Sequence, residues 1–243
     1  ENMTKGPIIR AGAIDPLTRR IPRLNALETF YEDWRDNFLD NTKWAKSVTS
    51  GGTVTVDVTT PGESGFPGGC RLSTSADAAG AAYLMTQRRI FPVQHGQTAN
   101  RAIVHRSCLE WEMRPATITV FDNTVFFIGA STNIAGNRTT PSVVGCFLSS
   151  DAITLLSDNA GTETTQATTN TITLTNTPHK YLLTLDRVEG LRLFVDEVLE
   201  ATITTNIPVA TSALPFLVSV HNDSAAAAIL DLGRIRAWVE DIA

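Results

Sequence analysis

Cysteine and histidine are scarce in this chain, and none of them has the spacing of a metal site or a redox pair. Cys70, Cys108 and Cys146 include no C-x-x-C pair, and an odd number of cysteines cannot close into a complete disulfide framework. Each lies in or beside an apolar run, which favours buried free thiols. The four histidines are isolated, without zinc-ligand spacing. We therefore predict no metal site and no cofactor.

The chain also lacks a secretory signal and any apolar run long enough to cross a bilayer. It begins at Glu1 rather than Met, which fits proteolytic maturation, renumbering or removal of a leader. The net charge is −5 and the pI about 5.4, so the bulk charge argues against binding to nucleic acid. We expect neither a membrane nor a nucleic acid as a partner.

Aromatic residues make up only 7% of the chain, whereas threonine is abundant, and this composition favours strands over helices. Short alternating segments separated by turn residues recur along residues 27–243. A hydrophobic fraction of 42% in 243 residues is enough for one sizeable core. We predict an all-β protein, an antiparallel β-sandwich of about twelve to fifteen strands, with at most one helical turn near residues 39–43.

The alternation is clearest in the C-terminal third, where the turns also have recognisable chemistry. One hairpin is predicted at Gly190, which supplies the positive φ that tight turns need, and another at residues 196–197. In the last strand three apolar residues are predicted to face the core: Ile235, Ala237 and Val239. Arg234, Arg236 and Glu240 are predicted to face water, and Trp238 shares that outer side of the strand.

Several segments resemble the concanavalin A-like (laminin G-like) jelly-roll family. The run F-V-D-E-V-L-E-A-T with a later proline looks like a hairpin of that family, and I-L-D-L-G-R-I-R-A-W resembles its closing strand. Residues 30–34 and 38–44 resemble its opening strand and an L-D-x-x-K-W turn. The resemblance covers residues 27–242 and implies a concanavalin A-like jelly roll. It says little about activity, because the fold hosts lectins, glycosidases, lyases and virion proteins.

Residues 1–26 are predicted to form an extended N-terminal arm, because prolines interrupt them and neither strand nor helix periodicity is present. Residues 1–25 contain five basic and two acidic residues, a net charge of +3, which leaves −8 for the rest of the chain. A basic and apolar arm needs a partner surface, either on a neighbouring subunit or on its own domain. The predicted contact residues are Ile8, Ile9, Arg10, Ile14, Leu17, Arg19, Arg20 and Arg23.

The sharpest catalytic candidate is Glu110-Trp111-Glu112, because alternate residues on a strand share a face about 7 Å apart. Such a pair suits the acid and the nucleophile of glycoside cleavage. Family-16 glycoside hydrolases of this fold carry E-x-D-x-x-E on one strand. Here the middle Asp is a Glu and the last Glu is Pro115, so the acid/base of the family motif is missing. We predict an ion-paired or solvated strand face, no catalytic residue and no enzymatic activity.

Glycan binding requires exposed aromatic rings beside polar groups. Trp34 and Trp44 belong to the opening motif and are predicted to be packed, which leaves Trp111 and Trp238 as possible glycan-binding platforms. Three oxygen-rich turns, at residues 122–123, 158–159 and 222–223, are explained by turn chemistry without a calcium ion.

Three functional hypotheses remain at this stage. The first is a non-enzymatic structural protein fastened by its arm to identical subunits or to a major capsid or tail protein. In style such a chain resembles the decoration and tail proteins of tailed-phage virions, which implies a virion component assembled in the host cytoplasm. The second is a glycan-binding module, and the third is a diverged glycosidase or lyase. We expect the first.

Overall fold

The computed structural model describes residues 27–34, 39–57, 69–76, 80–92, 104–117, 126–130, 143–149, 152–170, 177–208, 213–221 and 227–242. These residues contain fifteen strands and no helix, in agreement with the predicted all-β class and strand number. No helix in this part of the chain has the length and apolarity to span a bilayer. The predicted arm, residues 1–26, lies outside the described residues.

In chain order the strands are β1 (Leu27–Glu32), β2 (Trp44–Thr49), β3 (Thr53–Asp57), β4 (Gly69–Ser73), β5 (Ala81–Thr86), β6 (Val104–Thr117), β7 (Phe126–Ala130), β8 (Val143–Ser149), β9 (Ala152–Asn159), β10 (Thr162–Ala167), β11 (His179–Asp186), β12 (Gly190–Val195), β13 (Val198–Ile203), β14 (Phe216–His221) and β15 (Ile229–Ile242). They form two antiparallel sheets. Sheet A has the order β13-β12-β11-β6-β15-β4-β3, with β1 also paired to β15, and sheet B has the order β10-β9-β8-β7-β14-β5-β2.

The long closing strand β15 organises sheet A. On one side it pairs with β6 along most of its length, and on the other side it pairs first with β4 and then with β1. Its register with β6 shifts between Leu232 and Ile235, where a bulge bends the strand. Ile235 and Ala237 are buried in the core as predicted, whereas Val239, the third predicted core residue, is only partly buried and lies outside the core cluster. The alternate residues of β15 face outwards.

Two hairpins of sheet A form at the positions that the sequence predicts. Gly190 begins β12 with a φ of 77°, and the two turn residues Asp196 and Glu197 have φ values of 47° and 72°. Positive φ at both central residues matches the right-handed twist of the paired strands. At residues 40–44 a single hydrogen-bonded turn forms, in which the carbonyl of Asp40 accepts the N–H groups of Lys43 and Trp44.

The core lies between the two sheets and is rich in aromatic contacts. Trp34 stacks on Trp44 at 5.0 Å between ring centroids, and Trp111 stacks on Tyr181 at 5.4 Å. Phe216 of sheet B contacts Trp44 and Trp111 and so links the two stacked pairs. Burial of such rings in contact with one another stabilises the sandwich beyond the area that they remove from water.

The three cysteines are buried and free, as predicted. Burial raises the pKa of the Cys146 thiol to about 12 and raises that of Cys70 still further. These two thiols therefore stay protonated at neutral pH and behave as small apolar side chains.

Candidate functional site

Most of the charged side chains of sheet A lie on its outer face, the side that points away from sheet B. On β6 the alternate residues Leu109, Trp111 and Met113 are buried in the core between the sheets. Glu110 and Glu112, which lie between them, point to the opposite side and meet cations of the neighbouring strands. This outer face is the candidate functional site, because it contains the only residues that the sequence suggested for catalysis.

Glu110 is buried on this face beside a lysine. The Nζ of Lys180 forms an ion pair with Oε2 at 3.1 Å, and among the described residues neither carboxyl oxygen accepts a hydrogen bond of good geometry. Burial raises the pKa of the Glu110 carboxyl, and the positive charges of Lys180 and Arg234 only partly oppose that shift.

Glu112 is paired with a different cation. Its Oε1 accepts a hydrogen bond of 2.7 Å from Nη2 of Arg234, which lies on β15. Each of the two carboxyl groups is therefore held by a separate positive charge from a neighbouring strand.

A second ionic cluster lies at the turn between β11 and β12. Arg106 donates to Asp186 at 2.8 Å and also contacts Glu189 and Glu240, and Arg192 reaches Glu189 as well. Burial by itself raises the pKa of Asp186. The carboxylate of Asp186 accepts hydrogen bonds from the backbone N–H groups of Glu189 and Val188 and from the side chain of Arg106. These bonds outweigh the effect of burial, and the pKa of Asp186 is lowered.

The expectation that Glu240 faces water is wrong in one respect. The residue lies on the outer face, but it is buried against Arg106, whose Nη1 is 3.4 Å from Oε1 of Glu240. The sequence placed the residue on the correct side of the sheet, and the cross-strand partner Arg106 decides its exposure.

Neither tryptophan proposed as a glycan platform is open to solvent. Trp111 is 0% exposed and stacks on Tyr181 in the core, so its predicted role as a surface platform is wrong. The alternation of β6 contained the signal, because a residue between Glu110 and Glu112 must point to the core. Trp238 does face outwards, but it is only 5% exposed and Arg236 lies over its ring at 5.0 Å.

Trp238 begins an apolar row that crosses the outer face from β15 to β13, with a diagonal step between β6 and β11, where Cys108 is opposite Thr184 and Leu182 is opposite Glu110. It pairs with Cys108 of β6, and Leu182 of β11 joins them in one buried cluster. Leu182 pairs with Phe194 of β12, which in turn pairs with Leu199 of β13. We call these five residues the apolar row. Its exposure increases towards the edge of the sheet, where Leu199 is 46% exposed.

Carboxylates are the more exposed partners in several ion pairs around this row. Glu189 has a side-chain exposure of 41%, against 13% for each of its partners Arg106 and Arg192. In the pair between Glu28 and Arg236 the glutamate is again the more exposed side chain. In other pairs the cation is the more exposed partner, as Lys180 is beside Glu110, and Arg192 lies over the ring of Phe194 at 5.4 Å. The outer face therefore carries both signs of charge around the apolar row.

Tyr31 is an exposed aromatic residue that the sequence reasoning missed. It pairs with Arg236 on the outer face and is 41% exposed, and its hydroxyl lies 3.4 Å from Oδ2 of Asp33. The signal for it was available, since Phe30 packs against the core and Tyr31 must therefore point the other way.

The remaining sites suggested by the sequence add no chemistry. Within the described ranges, no three His, Cys, Asp or Glu side chains converge to hold a metal ion. At residues 158–159, Oδ1 of Asp158 accepts the N–H of Gly161 at 2.7 Å, which is ordinary turn chemistry. The turns at 122–123 and 222–223 lie outside the described residues, as do the eight predicted contact residues of the arm.

Comparison with solved structures places this fold among known β-sandwich domains. The endo-1,3-β-glucanase of Streptomyces sioyaensis is similar with a TM-score of 0.61 and 13% identity, over 90% of this chain and 98% of that one. The carbohydrate recognition domain of Emp47p is similar with a TM-score of 0.58 and 11% identity, over 88% and 96% of the two chains. The predicted concanavalin A-like jelly-roll fold is therefore confirmed.

A longer chain is also similar in part. A botulinum neurotoxin type C structure, described as interacting with two ganglioside molecules, matches with a TM-score of 0.56 and 11% identity, over 87% of this chain and 47% of that one. At these identities the likeness is one of fold. No protein-family model and no curated protein sequence matches the chain.

Proposed function

We propose that this protein is a non-enzymatic structural module that is fastened to identical subunits through residues 1–26. In this proposal the sandwich is a rigid body and the arm is the attachment device. A virion component, such as a capsid decoration or tail-associated protein of a tailed phage, is the class of protein that we propose. A major capsid or tail protein is then a further partner.

The observation that carries the proposal is the outer face of sheet A, on which an exposed apolar residue and exposed carboxylates occur together. It combines an exposed apolar end at Leu199 with outward carboxylates such as Glu189 and Glu28. Residues 1–25 have the complementary composition, with isoleucine and leucine side chains among five basic residues. Complementary charge beside apolar contact is what protein interfaces use for register and partner choice.

The non-enzymatic part of the proposal rests on Glu110 and Glu112. A glycosidase of this kind needs one carboxylic acid and one carboxylate that both reach the scissile bond. Here Glu110 is buried beside Lys180, and Glu112 accepts a hydrogen bond from Arg234. We infer that both groups stabilise the strand face and perform no catalysis.

The first prediction concerns the mass of the full chain in solution. We expect the wild-type protein to be an oligomer by light scattering and the triple variant Arg19→Glu, Arg20→Glu, Arg23→Glu to be a monomer, because the variant reverses the charge of the arm. Circular dichroism should show the same strand content in both proteins. A wild-type protein that stays monomeric at its solubility limit would contradict assembly through the arm.

Glycan binding is a second candidate function, and one surface feature favours it. Tyr31 is an exposed ring flanked by the carboxylates of Glu28 and Asp33 and by Arg236. An aromatic face beside hydrogen-bonding groups is a common way to hold a sugar ring. Similar folds occur in a carbohydrate recognition domain and in a structure described as interacting with gangliosides, which supports this candidate.

A second prediction separates the two candidates. If the protein binds glycans at Tyr31, a glycan array will give a signal with the wild type that Tyr31→Ala removes and that the arm variant keeps. Val48→Ala is the control, because Val48 is a comparably exposed apolar residue on sheet B. Loss of glycan binding in both Tyr31→Ala and Val48→Ala would point to general unfolding.

A further inference from the structure

We propose that Glu110 is a proton-binding site that regulates the outer face of sheet A. In mild acid its carboxyl group takes up a proton, which stabilises the fold and makes the surrounding face more positive. The inference goes beyond the proposed function, because it does not depend on assembly through residues 1–26. It follows from the burial of this carboxyl, from its hydrogen bonds and from the charges that face it.

Glu110 lies near the middle of sheet A, with a paired strand on each side. It is opposite Leu182 of β11 and opposite Arg236 of β15. The residue is only 2% exposed, although it points away from the core between the sheets. Leu182 belongs to the buried apolar cluster that also contains Cys108 and Trp238. Such surroundings penalise an ionised carboxylate far more than a neutral carboxylic acid.

The carboxyl group of Glu110 gains few contacts in place of the water that it has lost. Lys180 forms an ion pair with it at 3.1 Å, but among the described residues neither carboxyl oxygen accepts a hydrogen bond of good geometry. Asp186 on the same face is different, because it accepts hydrogen bonds from two backbone N–H groups and from Arg106. Hydrogen bonds of this kind favour the ionised form, and Glu110 does not receive them.

The two arginines nearest to Glu110 are directed at other carboxylates. Arg234 donates to Glu112 at 2.7 Å, and Arg236 donates to Glu28 at 2.8 Å. A charge-assisted hydrogen bond from either arginine would hold Glu110 in its ionised form. Because both donate elsewhere, their positive charges act on Glu110 only from a greater distance.

Protonation of Glu110 changes the balance of charge on this part of the face. The charged groups that surround it come from β11, β15, β6 and β1, and they are three cations and two carboxylates: Lys180, Arg234, Arg236, Glu112 and Glu28. An ionised Glu110 makes this group neutral as a whole, whereas a protonated Glu110 leaves one positive charge in excess. The direction agrees with the geometry, since burial raises the pKa of Glu110 and the cations oppose that shift only in part.

The proton stabilises the fold at low pH and not at high pH. Because the folded pKa of Glu110 lies above the unfolded value, the stabilisation is fully present below the ordinary value of about 4.3. It is lost as the pH rises through the folded pKa. One proton can change the folding equilibrium constant by at most about tenfold for each pH unit.

The test compares the full chain with Glu110→Gln, which lacks the titrating carboxyl. Denaturant unfolding at one protein concentration, from about pH 7 down to about pH 3, should show the wild type gaining stability relative to the variant as the pH falls towards 4. Asp186→Asn is the matched control of opposite sign, because the advantage of the wild type over that variant should shrink in acid. A difference between wild type and Glu110→Gln that stays constant, or that moves in favour of the variant, would overturn the proposal.

A second measurement keeps the proposal testable even if Glu110→Gln does not fold. Carbon NMR follows the side-chain carboxyl of Glu110 while the folded wild-type protein is titrated, and we expect a midpoint above about 4.3. Lys180→Met should move that midpoint further upwards, since Lys180 is the largest charge effect that opposes burial. A wild-type midpoint at or below about 4.3 would overturn the proposal. A wild-type chain that is monomeric but shows the raised midpoint would contradict assembly through the arm and support the proton site.

Discussion

Glu110 and Asp186 are both buried acids on the outer face of sheet A, yet their environments shift their pKa values in opposite directions. Burial raises the pKa of Glu110, and the charges of Lys180, Arg234 and Arg236 oppose that shift only in part. For Asp186 the N–H groups of Val188 and Glu189, together with Arg106, outweigh burial and lower the pKa. At this scale the number of hydrogen bonds to each carboxylate decides the sign of the shift.

A stability prediction follows from Asp186. Because its folded pKa is below the unfolded value, its stabilisation is present above about pH 4 and is lost as the pH falls through the folded pKa. We expect Asp186→Asn to lower the free energy of unfolding by about 1.5–3 kcal/mol at neutral pH. Chemical denaturation at several pH values measures this, and the difference from wild type should shrink below pH 4.

Glu28→Gln is the control for that experiment. Glu28 also pairs with an arginine, Arg236, but the pair is solvent-exposed. An exposed pair contributes only about 0–1 kcal/mol, so the control should change stability little. If Glu28→Gln lowered the free energy of unfolding as much as Asp186→Asn does, burial of the Asp186 network would not be the source of its stabilisation.

At the scale of elements, the hairpin between β11 and β12 depends on a glycine for two separate reasons. Gly190 has a φ of 77°, and a Cβ added to it would lie 2.4 Å from the carbonyl oxygen of Ile203. Gly161 has a φ of 88°, but a Cβ added there would meet nothing within 4 Å. An added methyl group at Gly161 would therefore cause backbone strain alone, whereas at Gly190 it would cause both backbone strain and steric overlap.

This comparison gives a matched pair of variants. Gly161→Ala should lower the free energy of unfolding by about 1–2 kcal/mol, because an alanine is forced into the left-handed region. Gly190→Ala should cost clearly more, since the same strain is joined by contact with the β13 backbone. Thermal or denaturant unfolding measures both. Equal costs would mean that β13 moves away from the added methyl group without penalty.

At the scale of the whole molecule, the two faces of sheet A have separate tasks. The inner face joins sheet B in one core, in which Phe216 links the Trp34–Trp44 and Trp111–Tyr181 stacks. The outer face carries the ion pairs and the apolar row. Because the core fixes the strand positions, we expect the outer face to lose little conformational entropy if it binds a partner as we propose.

The sequence by itself determined the features that depend on neighbours along the chain. Alternation with a period of two predicted the strands and the buried residues Ile235 and Ala237, and the turn at Gly190 followed from its freedom in φ. The same rule places Trp111, which lies between Glu110 and Glu112, in the core. These features are local, so neither register nor sheet order is needed to predict them.

Only the tertiary structure decided what depends on pairing between distant strands. Arg234 meets Glu112 across 122 residues of sequence, and Arg71 meets Asp231 across 160. The apolar row takes one residue from each of five strands, and Trp238 is covered although its side of the strand was predicted correctly. Cross-strand neighbours are set by long-range register, and a shift of one residue would exchange the two faces of a strand. For that reason the sequence determined the sandwich and the sides of its strands, and the tertiary structure determined the surface on which we expect it to act.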